Sequence, residues 1–265
     1  MATRNGAEGG LVFMKQIPHL SFSSIEHWMN CPTSWWSTYI LDEKLPAGSA
    51  AAFGKKFEEL LTHRLGLADD PKLNPEDPEQ AEIIKAVEVY QRWGRAWKSA
   101  EEAQKRIEIS PDAWSNYADY YGVDSSIPVP LIGFTDLQRR MDDGVRLEIL
   151  DLKTSGFSGF KASWAVQLTL YAMAERAYQV SVHQFVKTKT PKCEAYTWVV
   201  GKPEIAWMMT YIGAAAKQIG AALEKNDMGS LPRTPGRNAM QKHCDWCPRQ
   251  LDCTARVLAT TIAQT

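Results

Sequence analysis

Two acidic residues and a lysine occur in neighbouring apolar segments near the middle of the chain. Asp136 ends the segment 132–136, and Asp151 and Lys153 end the segment 147–153. An Asp-Gly step lies between the segments, which predicts a β-hairpin. Because strand side chains alternate between faces, Asp151 and Lys153 project from the same face. Burying these charges is costly without a partner. A divalent cation shared with Asp136 would supply one, so we interpret the hairpin as a candidate catalytic centre.

Oxygen ligands of the kind that Mg2+ prefers are available at this hairpin. Asp136, Asp151 and the main-chain carbonyl of Leu152 could bind the ion, and Glu58 could reach it from a preceding helix. Lys153 could then orient the attacking water or stabilise developing negative charge. Acid-x-Lys is a short pattern, however, and a surface ion pair on an edge strand is the alternative interpretation.

A glutamine and a tyrosine lie one turn apart in a predicted helix that follows the hairpin. Gln167 and Tyr171 therefore share a helix face. They could bind a phosphate or a nucleotide near the cation. Ordinary helix surface is the alternative for such a pair.

The cysteines near the end of the chain have the spacing of a metal-binding cluster. Cys244, Cys247 and Cys253 form a C-x2-C-x5-C pattern, and Cys31 is a better candidate for the fourth ligand than Cys193. Zinc and a four-iron cluster both accept four cysteines, and the spacing does not separate them. Either would link the two ends of the chain. Unligated buried thiols are the alternative.

The composition is that of a globular protein without a general positive field. The chain has 265 residues, is 45% hydrophobic and carries a formal net charge of -1. A nucleic acid would therefore have to be bound by local basic patches. The sequence contains no apolar run of about 18 residues and no signal-peptide pattern. We expect a soluble, cytoplasmic protein with no membrane partner.

Helical and strand patterns alternate along the chain, which predicts an α/β sandwich around a central mixed sheet. We expect residues 1–20 to form a mobile leader and residues 21–265 a single domain. Hydroxyl caps begin a helix at Ser21. Further helices are predicted at 50–65, 79–103, 162–178 and 203–225, and strands at 106–109, 118–123, 180–187 and 195–200, besides the hairpin.

Taken together, these segments resemble the PD-(D/E)xK nuclease superfamily, and in particular its RecB-like branch with an iron–sulfur cluster. That branch includes the CRISPR-associated protein four exonucleases and their phage-encoded relatives. The similar segments, in chain order, are Ser21 to Pro32, Gly54 to Glu58, Gly133 to Asp136, Asp151 to Lys153, Gln167 to Tyr171 and the three-cysteine end. The family commonly has a histidine where Glu58 stands, and Glu59 and His63 are alternative ligands on the same helix.

The resemblance implies a restriction-endonuclease-like sheet flanked by helices. It also implies an iron–sulfur subdomain, formed by residues 21–45 and 231–260 and joining the two ends of the chain. The cluster would be [4Fe-4S], with zinc as the weaker alternative. Its ligands would be Cys31, Cys244, Cys247 and Cys253.

The activity that the resemblance implies is a DNA exonuclease dependent on Mg2+ or Mn2+. Glu58, Asp136, Asp151 and the Leu152 carbonyl would bind the metal, Lys153 would assist the attack, and Gln167 and Tyr171 would position the strand. The implied substrate is single-stranded DNA or DNA with free ends, in recombination, repair or spacer acquisition. An annealing protein or a spacer-integration complex is the implied partner.

A non-catalytic DNA-binding or assembly subunit with the same fold is the alternative function. Asp136, Asp151 and Lys153 are all present, which argues against a subunit that has lost its chemistry.

Overall fold

The structure is a computed structural model that describes residues 17–43, 45–46, 48–232, 247–248 and 253. Its strands form one five-stranded sheet in the order β1-β2-β3-β4-β5. β3 and β4 are parallel, and the other neighbouring strands are antiparallel. The strands are β1 (Glu102–Ile109), β2 (Leu131–Arg140), β3 (Leu147–Ser155), β4 (Gln179–Val186) and β5 (Lys192–Val199). The predicted α/β fold with a mixed sheet is confirmed.

Helices cover both faces of this sheet. They are α1 (Phe22–Asn30), α2 (Pro32–Tyr39), α3 (Ser49–Arg64), α4 (Pro78–Arg92), α5 (Pro111–Tyr121), α6 (Ala162–Glu175) and α7 (Lys202–Lys225), with a short 3-10 turn at Met228–Ser230. On β3, Ile149 faces the core formed with α1, α6 and α7. Leu152 faces the core formed with α3 and α4. The alternation of strand side chains thus divides the apolar interior into two layers.

The central hairpin separates at one end. The β2–β3 ladder runs from Arg140 opposite Leu147 to Leu137 opposite Leu150. Beyond that last pair, the described parts of the two strands are held by their outer neighbours: β2 by β1, and β3 by β4. The hairpin therefore opens at the end of β3 that carries the acid-x-lysine sequence.

Helix α4 is shorter than predicted. It ends at Arg92, and Trp93 is its C-cap residue. The apolar pattern continues to Trp97, but Trp97 is buried against Leu137 and Leu150 from outside the helix. From Glu102 onward the chain pairs with β2 instead. The prediction of a helix to residue 103 was wrong, because the buried Trp97 continues the helical spacing of apolar residues although it lies outside the helix.

The segment predicted as a strand at 118–123 is instead the end of helix α5 and its cap. Ser110 begins this helix by accepting a hydrogen bond from the main-chain nitrogen of Ala113, and Pro111 occupies the first turn. Gly122 ends it with a left-handed backbone, at φ 68°. These capping residues determine the local structure more strongly than the β propensity of the tyrosines.

The beginning of the chain is described only from residue 17, so most of the predicted leader lies outside the described residues. Leu20 is buried and forms a parallel bridge with Leu131 at the start of β2. Among the described helices, none combines the length and apolar character needed to cross a bilayer.

Candidate active site

Asp136 contacts the backbone of the neighbouring strand where the hairpin opens. Its Oδ2 accepts a hydrogen bond from the main-chain nitrogen of Leu152 at 2.7 Å. At this position the backbones of β2 and β3 are no longer paired, and the Asp136 side chain takes the place of the β2 backbone as hydrogen-bond acceptor. This contact fixes Asp136 beside the Asp151-Leu152-Lys153 sequence, although the two acids are 15 residues apart along the chain.

Asp151 and Lys153 form an ion pair on the face of β3 opposite Leu152. Nζ of Lys153 lies 2.7 Å from Oδ2 of Asp151. The Asp151 side chain is 3% exposed and that of Lys153 is 27% exposed. Although the ion pair is short, Oδ2 has no partner with suitable hydrogen-bond angles among the described residues. The site therefore contains a buried carboxylate oxygen that is only partly compensated.

Helix α3 approaches the same end of β3. Gly54 makes the approach possible, because a Cβ atom there would lie 2.9 Å from Oγ1 of Thr154. One turn further along α3, Oε1 of Glu58 accepts a hydrogen bond from Nε2 of Gln104 on β1. Sequence reasoning missed Gln104, which lies in a polar stretch with no motif.

The three carboxylates share one electrostatic environment. Burial, together with the negative charges of Asp151 and Glu58, holds the pKa of Asp136 well above its usual range. Burial also raises the pKa of Asp151, against the opposing effect of Lys153. The pKa of Glu58 is raised by burial and by Asp151. In all three groups, burial therefore disfavours the charged carboxylate.

Lys153 stays charged in this environment. Burial alone would lower its pKa, but the carboxylates of Asp151 and Asp136 outweigh burial and raise it. In the described part of the chain, no three His, Cys, Asp or Glu side chains converge as a ready-made metal-binding group. In the arrangement shown, it is the Lys153 ammonium that compensates Asp151.

Gln167 and Tyr171 lie beside the carboxylates. Nε2 of Gln167 donates a hydrogen bond to the Tyr171 hydroxyl at 3.1 Å. The pKa of Tyr171 is raised by burial and by the charges of Asp151 and Asp136. The structure therefore brings together the hairpin acids, Lys153, Glu58 and this helical pair.

Glu59 and His63, the two alternative ligands on α3, make contacts outside the carboxylate cluster. Glu59 is exposed and lies 3.8 Å from Nζ of Lys55. Nδ1 of His63 contacts the carbonyl oxygen of Ala68 at 3.2 Å. Glu58, by contrast, accepts a hydrogen bond from Gln104, and burial and the charge of Asp151 raise its pKa.

The predicted cysteine cluster lies only partly within the described residues. Cys31 and Cys247 are buried, Cys253 is partly buried, and none of the three forms a disulfide with another described residue. Cys193 is on β5 and packs against the α3–α4 core. Cys244 lies outside the described residues. The four-cysteine set therefore stays a prediction.

Comparison with known proteins gives the family. Residues 19–254 match the PD-(D/E)XK nuclease superfamily. This match spans most of the chain, and the protein belongs to that superfamily. The expected family membership is thereby confirmed at the level of the superfamily, which supports nuclease activity. A search of curated proteins found no match.

Solved structures support the fold. A proposed exonuclease from Eubacterium rectale superposes with a TM-score of 0.53 at 12% identity, and the match covers 87% of each chain. The protein SSO0001 gives a TM-score of 0.40 at 12% identity, with 91% of this chain and 88% of that chain covered. At such identity the first similarity shows a shared fold and nothing finer.

Proposed function

We propose that this protein is a DNA exonuclease that hydrolyses phosphodiester bonds with Mg2+ or Mn2+. The observation that carries the proposal is the hydrogen bond from the Leu152 main-chain nitrogen to Asp136. It brings an acid of β2 to the acid and lysine of β3, where the hairpin opens. Membership of a nuclease superfamily supports hydrolysis as the reaction.

The donor set fits a hard divalent cation. Asp136, Asp151 and Glu58 offer carboxylate oxygens, and burial raises the pKa of each, so a bound cation would stabilise their charged forms. The N–H and C=O of a strand residue point to the same side, so the Leu152 carbonyl faces the side on which its N–H meets Asp136. When bound, the ion would supply Lewis-acid polarisation of the phosphate.

Lys153 supplies positive charge at the site. It stays protonated because two carboxylates raise its pKa. Its side chain is also partly exposed, so the ammonium can reach a bound phosphate. There it orients the nucleophile and stabilises the negative charge that develops during attack.

Gln167 and Tyr171 position the DNA strand. The raised pKa of Tyr171 keeps its hydroxyl protonated, so the oxygen accepts from Gln167 and can donate to a phosphate oxygen. The proposed substrate is single-stranded DNA or DNA with free ends, processed in recombination, repair or spacer acquisition. An annealing protein or a spacer-integration complex is the proposed partner.

A purely binding subunit is the less favoured function for a physical reason. Burying Asp136 and Asp151 beside each other costs stability. A protein that only binds DNA would be more stable with neutral residues at these positions. The presence of both acids therefore favours a catalytic function over a purely DNA-binding one.

The proposal further assigns a [4Fe-4S] cluster to Cys31, Cys244, Cys247 and Cys253, with zinc as the alternative. Supporting it, Oγ1 of Thr33 contacts the carbonyl oxygens of Leu231 and Pro232 at 3.4 and 3.2 Å, so α2 lies beside the chain that leads to the last cysteines. Iron and sulfide analysis of anaerobically purified protein tests the cluster. Stoichiometric zinc without iron would overturn the iron–sulfur assignment.

The test of the activity is digestion of end-labelled single- and double-stranded DNA. We expect degradation with Mg2+ or Mn2+, release of short products from an end, and no reaction in EDTA. Asp151→Asn should abolish cleavage, whereas Lys72→Ala, an exposed change in the loop between α3 and α4, should not. Undiminished cleavage by the Asp151→Asn protein would show that the site is wrongly assigned.

A further inference from the structure

Gln104 carries a feature that neither the family match nor the motifs explain. We propose that Gln104 is a positioning residue that holds the Glu58 carboxylate toward Asp136 and Asp151, and that a left-handed backbone at Gln104 is what aims its side chain. The inference rests on the proposed function, because Glu58 is one of the proposed metal ligands.

The backbone at Gln104 is unusual for the interior of a strand. Its φ is 51°, a left-handed value that is uncommon for residues other than glycine. On either side, Ala103 pairs with Leu137 and Lys105 pairs with Thr135. Gln104 therefore lies opposite Asp136, at the one position where this regular ladder is interrupted. Strained backbone conformations of this kind concentrate at functional sites.

The side chain supplies the second, independent observation. Nε2 of Gln104 donates a hydrogen bond to Oε1 of Glu58, which joins β1 to α3. The residues are 46 positions apart in sequence, so no local pattern creates the contact. On β1, Gln104 thus donates to one proposed ligand, Glu58, and lies directly opposite another, Asp136.

The chemistry of an amide suits this task. Glutamine orients a carboxylate without neutralising it, because the amide donates a hydrogen bond but carries no charge. A lysine or an arginine at the same place would compete with a cation for Glu58. Residues that hydrogen-bond metal ligands typically change metal affinity by about 10- to 100-fold when they are removed.

Two substitutions of Gln104 test the contribution of its side-chain amide. Gln104→Gly removes the amide and also relieves the left-handed backbone, since glycine adopts positive φ freely. We expect Mn2+ affinity, measured by calorimetry on the full-length protein, to fall about tenfold. The melting temperature of the metal-free protein should not fall. Gln104→Asn, which tolerates the same backbone but is one methylene shorter, should also weaken binding.

Lys72→Gly is the matched control. Lys72 is exposed, has φ 50° and lies in the loop before α4. Its replacement relieves the same kind of backbone strain in a loop that supplies none of the proposed ligands, so Mn2+ affinity should stay at the wild-type value.

A double-mutant cycle tests whether Gln104 affects Mn2+ affinity through Glu58. In a Glu58→Gln background, Gln104→Gly should have no further effect on Mn2+ affinity, because its partner is already lost. Wild-type affinity in both Gln104 variants, or an equal loss in the two backgrounds, would overturn the positioning role alone. A wild-type protein that binds no Mn2+ would contradict the proposed metal-dependent function as well.

Discussion

The ring of Tyr171 lies directly against the backbone of Gly133. A Cβ atom at position 133 would be 2.6 Å from Cε1 of the tyrosine and 2.9 Å from its hydroxyl oxygen. The glycine on β2 thus allows a helix residue to reach the carboxylates. The Gly-x-x-Asp and Gln-x3-Tyr motifs meet in this single contact, between residues that are 38 positions apart in the sequence.

Gly133→Ala should therefore impair both stability and activity. The added methyl group displaces the buried Tyr171 ring, and overpacking of this kind costs about 1–3 kcal/mol. We expect the melting temperature to fall by several degrees and cleavage to fall at least about tenfold. Gly94→Ala, where a Cβ atom would meet nothing within 4 Å, is the matched control. Wild-type values for both variants would contradict this packing argument.

Asp136→Asn should make the metal-free protein more stable at neutral pH while abolishing cleavage. The folded-state pKa of Asp136 is raised by burial and by Asp151 and Glu58, so the native state binds protons more tightly than the unfolded chain. Stability is then lost as pH rises from about 4, the unfolded value, through the raised native pKa. The asparagine removes that loss and can still accept from Leu152 through its amide oxygen.

Thermal melts in EDTA between about pH 4 and about pH 8 measure this effect. The wild-type melting temperature should decline toward neutral pH more steeply than that of Asp136→Asn. Added Mn2+ should restore wild-type stability at neutral pH and have little effect on the variant. Parallel pH curves for the two proteins would contradict the charge argument.

Lys153→Met should lower cleavage by about 100-fold or more, because it removes the charge that stabilises the developing phosphate charge. It should also destabilise the fold, since Asp151 then lies buried without its ion-pair partner. The double variant Asp151→Asn with Lys153→Met should regain stability but not cleavage. If the single variant cleaves normally in steady-state assays, Lys153 has no catalytic role.

Gln184→Leu should disturb the loop that follows β3. The buried Gln184 side chain donates to Oγ of Ser155 at 2.7 Å and to the carbonyl of Phe157 at 2.9 Å, and it accepts from the nitrogen of Gly159 at 3.3 Å. Losing these partners should cost about 1–3 kcal/mol. Denaturant unfolding measures the cost. Gln91→Leu on α4, which loses one hydrogen bond from the Arg64 side chain, serves as control and should cost less.

The parts of the site carried by local signals could be predicted from the sequence. An Asp-Gly turn between apolar runs indicated the hairpin, and hydroxyl capping indicated α1. The prediction of a strand at 118–123 was wrong because it followed the β propensity of the tyrosines and not the helix-capping residues Ser110 and Gly122. Gln104 could not be predicted, since its role depends on strand register and on a positive φ. Neither property is encoded by neighbouring residues alone.

The hydrogen bond between Asp136 and the Leu152 amide has a spectroscopic consequence. That amide proton is held by a side chain and not by an adjacent strand, so its exchange with deuterium follows the carboxylate. Any event that draws Asp136 toward another partner exposes this single proton to solvent. One backbone resonance at Leu152 would thus report occupancy of the candidate active site in real time, without a label on the nucleic acid.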